Sequence, residues 1–77
     1  MHDSTFCVSF LQDTNSVEIT VNGNIEKLLE FQMKENIFPV ELIFADEDIL
    51  AGFFSRENSK KLVHWLQKNG AKYTQKV

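Results

Sequence analysis

The sequence predicts an α+β fold, a small antiparallel sheet with two helices on one face. Three observations carry this. Several short runs alternate apolar and polar residues with period two, two longer runs repeat with helical period, and clusters of turn formers separate them in the order ββαββα. With 77 residues the chain is expected to form one domain, residues 1–77. At that length roughly 60% of the unfolded surface is buried on folding, so one small core is expected rather than a deep cleft. Seven Phe residues make that core rich in aromatics.

The elements follow in order. In "TFCVSFLQ", Phe6, Val8 and Phe10 share one face of a strand, and Cys7 and Ser9 take the other. Residues 13–16, "DTNS", form a turn, and Val17, Ile19 and Val21 alternate with Glu18 and Thr20 in a second strand. Asn24 caps a first helix whose face is expected to comprise Ile25, Leu28, Leu29 and Met33. Asn36 suits the left-handed residue that ends the helix. Pro39 opens the next strand, where its missing N–H matters least. There Val40, Leu42 and Phe44 are expected to share a face. "ILAGFF" follows after Asp46, Glu47 and Asp48, which makes the three acids the polar tip of a hairpin.

Ser55 or Asn58 caps a second helix with a stripe of Leu62, Val63 and Leu66. Gly70 fits the left-handed position of a Schellman stop that brings Ala71 to Leu66. "KYTQKV" alternates weakly, as a last edge strand or a frayed tail. Read from Val17, the elements also run βαββαβ, the ferredoxin-like order, with the first strand added at a sheet edge. "KLLEFQMKEN" and "KLVHWLQKNG" are similar at an offset of 34 residues, either by chance between two amphipathic helices or as a true repeat, which would imply a pseudo-twofold arrangement.

Charge is divided along the chain. Residues 1–54 carry ten acids against two bases, a net of −8, and residues 55–77 carry six bases, Lys76 among them, against one acid, a net of +5. The single cysteine, Cys7, excludes a disulfide framework and a four-Cys zinc site, and suggests a reducing cytoplasm. Asp3 and the lack of a basic leader with an apolar stretch argue against a secretory signal, and no apolar run has membrane-spanning length.

Few residues look chemical. A calcium loop over "DEDILAGFFSRE" has its Glu57 at the twelfth position, but Ala51 rather than glycine at the sixth, so no metal is expected. His64 and His2 lack companions at ligand spacing, and no cofactor motif occurs. Cys7 is expected to be a passive, partly buried thiol. Phe31 and Trp65, each beside its helix's stripe, are either core residues of a wide stripe or exposed aromatic anchors. Arg56, Lys60, Lys61, Lys68 and Lys72, with Trp65 and Tyr73, offer a basic face for nucleic acid, although the ribonucleoprotein aromatic motif is unmatched.

These features point to a non-enzymatic protein-interaction module, of the inhibitor, immunity, antitoxin or phage-blocker kind. Its acidic face, Glu41, Asp46, Glu47 and Asp48, would dock on a basic protein, such as a component of a nucleic-acid-handling complex. The alternative is nucleic-acid binding through residues 55–77, and the opposed charges also allow a homodimer.

Overall fold

The computed structural model describes residues 6–75. Asp3, His2 and Lys76 lie outside the described residues. The elements are β1 (Cys7–Gln12), β2 (Ser16–Asn22), α1 (Ile25–Glu35), β3 (Glu41–Ala45), β4 (Ile49–Ser55), α2 (Arg56–Lys68) and β5 (Lys72–Gln75). They form an α+β structure whose five-stranded mixed sheet has the order β3-β4-β2-β1-β5. All neighbouring pairs are antiparallel except β1 and β5, which are parallel. A radius of gyration of 11.4 Å matches the value of about 11.5 Å for a folded chain of this length.

Local chemistry sets the boundaries. The Asn24 side chain accepts from the Lys27 N–H at 3.2 Å and caps α1. Asn36, at φ 59°, closes it in the left-handed conformation that Asn tolerates. At α2 the cap is Ser55 rather than Asn58: the Ser55 hydroxyl accepts from the Asn58 N–H at 3.1 Å. Gly70, at φ 78°, completes the Schellman stop. Its N–H donates to the Gln67 carbonyl at 3.1 Å, and the Ala71 N–H to the Leu66 carbonyl at 3.0 Å.

One core joins sheet and helices. Phe6 and Val8 from β1 and its approach, Val17, Ile19 and Val21 from β2, and Leu50 and Phe54 from β4 meet Ile25 and Leu28 of α1 and Leu62 and Leu66 of α2. Val17, Ile19 and Val21 stand opposite Phe54, Gly52 and Leu50, so the alternation read from each strand becomes a continuous apolar layer. The β1–β2 and β3–β4 hairpins meet through the central β2–β4 pair.

Several expectations are corrected. The first strand is not at an edge, because β1 lies between β2 and β5, and β5 forms the edge instead. α1 buries Ile25, Leu28 and Gln32, and leaves Leu29 and Met33 in solvent. Its face is turned so that Phe31 stacks on Trp65 of α2, with centroids 4.7 Å apart and planes at 18°. That rotation draws Gln32 inside, where neither amide atom has a hydrogen-bond partner among the described residues. Val40, Leu42 and Phe44 do not share a face, because the register shifts between Leu42 and Phe44. This bulge puts Leu42 opposite Gly52 and Phe44 opposite Ala51, and adjacent β4 residues point to opposite faces. Cys7 is exposed rather than partly buried.

Candidate functional site

β3 begins where Pro39 ends the loop from α1. The Val40 N–H donates to the Phe53 carbonyl at 2.7 Å, so pairing with β4 starts one residue after the proline. A Cβ placed on Gly52 would stand 2.9 Å from the Pro39 Cβ and 3.1 Å from the Glu41 carbonyl oxygen. The absent side chain of Gly52 is thus what lets Pro39 seat against the sheet.

From that seat the chain runs out as an edge strand with every residue exposed. Leu42, Ile43 and Phe44 are 54%, 49% and 51% exposed, and Val40 just before them is 69% exposed. Phe38 on the approach and Leu29 and Met33 on α1 are exposed as well. Nine large apolar side chains are exposed among the described residues, and the segment 29–44 holds seven of them, so the exposure is concentrated in one part of the chain.

The acids sit around this strip. Glu41 is exposed at its start, paired across to Phe53, which in turn pairs with Glu18 on β2. Asp46, Glu47 and Asp48 are exposed at its end. The tip is well defined: the Asp46 N–H donates to the Ile49 carbonyl at 2.8 Å, and the Asp46 carboxylate accepts from the Glu47 N–H at 2.7 Å. The Asp48 carbonyl accepts from Gly23 N–H at 2.9 Å, which ties the tip to the turn between β2 and α1. The four acids are thus carried by one hairpin, with Leu42, Ile43 and Phe44 between Glu41 and the other three.

Phe31 and Trp65 are half-buried, stacked on each other and packed against the core. Trp65 also meets Phe6 at a centroid distance of 5.6 Å. The pair therefore joins the two helices, as the wide-stripe alternative expects.

The basic residues are dispersed. Arg56 is exposed, but its guanidinium donates to the Asp13 and Thr14 carbonyls at 3.3 and 2.9 Å, which fastens α2 to the β1–β2 turn. Lys60, Lys61 and Lys68 are exposed along α2, and Lys72 is exposed on β5, opposite Cys7. No described helix is long and apolar enough to cross a membrane.

The sequence reading located the four acids but missed the apolar strip between them. Its only signal was the run "LIF" in place of strict alternation, which marks a bulge as readily as a buried strand. The chain matches no family model, no curated protein and no solved structure.

Proposed function

We propose that this protein is a non-enzymatic interaction module that docks on a basic protein surface through the β3–β4 hairpin, in the reducing cytoplasm. The observation that carries this reading is the composition of the β3 edge: Leu42, Ile43 and Phe44 in solvent, bracketed by Glu41 and by Asp46, Glu47 and Asp48. An exposed apolar edge strand is a hazard to a soluble domain unless something covers it or guards it. Here the bulge at Ile43 and the flanking acids guard it against pairing with an identical acidic edge. The same acids favour a partner that brings positive charge, and they raise its rate of association. The apolar side chains would supply the desolvated centre of the contact, and the acids its rim.

We read the architecture as both helices covering one sheet face, in a ferredoxin-like arrangement of β2, α1, β3, β4, α2 and β5 into which β1 is inserted. The shared core of Ile25, Leu28, Leu62 and Leu66 with alternate residues of β1, β2 and β4 supports this reading. It would leave the face that bears Glu18, Phe53 and Glu41 open to solvent, continuous with the proposed docking strip.

The test is a tagged pull-down from native lysate at low salt, with bound protein identified by mass and nucleic acid by absorbance. A stoichiometric protein is expected, and two variants should lose it: Phe44→Lys, and Asp46→Asn combined with Glu47→Gln and Asp48→Asn. Capture that survives both variants would reject the reading. Nuclease-sensitive absorbance, lost in Lys60→Gln with Lys61→Gln, would favour the basic helix as a nucleic-acid surface. A doubled molar mass by light scattering, abolished by Phe44→Lys, would make the partner a second copy.

A further inference from the structure

Away from the β3 edge, a groove of about 550 Å³ runs between α2 and the β1–β2 hairpin. Gln12 and Val17 face each other across the β1–β2 hairpin, and both line the groove. α2 presents Lys60, Val63, His64 and Gln67 to the groove, spaced three and four residues apart on one flank. Phe10 and Val17 line it from the sheet.

The chemistry of this lining is selective. The apolar wall of Phe10, Val17 and Val63 is continuous with the core. The Phe10 ring is held by a stack on Tyr73, with centroids 5.2 Å apart and planes at 14°. Tyr73 is fixed in turn by donating its hydroxyl to the Val63 carbonyl at 3.1 Å. Lys60 and His64, one helical turn apart on α2, also line the groove, as do Gln12 and Gln67. Among the described residues no carboxylate lines the groove, in a chain with net charge −3. Ser59 lines it too, but its hydroxyl already donates to the Arg56 carbonyl at 2.7 Å. The volume falls within the roughly 300–1,000 Å³ of small-molecule sites, and the pattern of apolar walls with a few convergent polar groups is theirs.

We infer that this groove binds a small aromatic anion, with its ring against Phe10, Val17 and Val63 and its charged end on Lys60 and His64. A carboxylate or a phosphate ester would present the same charged end. This inference is independent of the docking proposal, since none of these residues belongs to the β3–β4 hairpin.

The test is a titration followed by backbone amide shifts, with hydrocinnamate and phenyl phosphate as anionic probes and hydrocinnamide as the neutral control. Saturable shifts centred on residues 63–67 and 10–12 are expected for at least one anion, and the tighter of the two identifies the charged group preferred. Loss of a charge-assisted contact should weaken the amide by about tenfold or more relative to the carboxylate. Lys60→Gln and His64→Gln should each weaken the anion by a similar factor. Lys61→Gln, on the same helix but outside the groove, should bind as the parent does. All three side chains are exposed, so these variants fold. No saturation with either anion, equal binding of the amide, or an equal effect of Lys61→Gln would overturn the assignment.

Discussion

Replacing Gly52 with alanine tests the seat on which the exposed edge is built. In an ordinary strand the change would be favourable by about 0.5–1 kcal/mol, because alanine loses less backbone freedom on folding. Here Gly52 is buried in β4, opposite Ile19 on one side and Leu42 on the other. The new methyl would stand 2.9 Å from the Pro39 Cβ and 3.1 Å from the Glu41 carbonyl oxygen. Neither neighbour is the flexible end of a side chain: one is a ring carbon, and the other is backbone held in the β3–β4 ladder. Overpacking of this kind costs about 1–3 kcal/mol, which outweighs the entropic gain and leaves a net loss of about 1–2 kcal/mol. For a domain of this size that is roughly 5–15 °C in Tm. The assay is urea unfolding of the parent, Gly52→Ala, Pro39→Gly and the double variant. Because Pro39→Gly removes the Cβ that the methyl meets, Gly52→Ala should be milder in that background, by about 1 kcal/mol of coupling. A higher urea midpoint for Gly52→Ala in the parent background, or no coupling to Pro39, would mean that Pro39 does not restrict position 52.

Two further changes probe the interior and the β5 edge. Gln32 is 1% exposed with both amide atoms unpartnered among the described residues, so Gln32→Met, which keeps shape and removes polarity, should raise stability by about 1–2 kcal/mol in the same urea assay. A loss of stability would mean that the amide is satisfied. Tyr73→Phe should cost about 1 kcal/mol near neutral pH through loss of the bond to the Val63 carbonyl. Burial raises the Tyr73 phenol above its ordinary value of 10.0, so the unfolded chain loses that proton first. The parent therefore loses stability as pH rises through that value, and the phenylalanine variant should lose less over the same range. Identical alkaline slopes would show that the phenol does not contribute.

Where elements start and stop was legible because those signals are local. Asn24, Asn36, Ser55 and Gly70 each satisfy or terminate a helix end with atoms only a few residues away, so composition alone predicts them. The hairpins and the acidic tip were legible for the same reason. So was the core of β2, where strict alternation admits only one inward set. The β3 edge was not legible, because one inserted residue at Ile43 reverses every later side chain, and the bulge depends on how β3 meets β4 rather than on β3 itself.

Local sequence signals suffice for the α+β class, the ends of its elements, the polarised charge and the position of the four acids. Tertiary structure alone decided which part of α1 faces inward. Ile25, Leu28, Leu29, Phe31 and Met33 cover more of the helix than one core can take, and the Phe31–Trp65 stack selects the rotation that buries Gln32 and exposes Leu29 and Met33. It also decided that β1 lies inside the sheet, between β2 and β5, and that β3 is an edge strand. Both outcomes depend on contacts between residues far apart in the chain, whereas capping, turn chemistry and periodicity act over a few residues, and only those can be read from a single sequence.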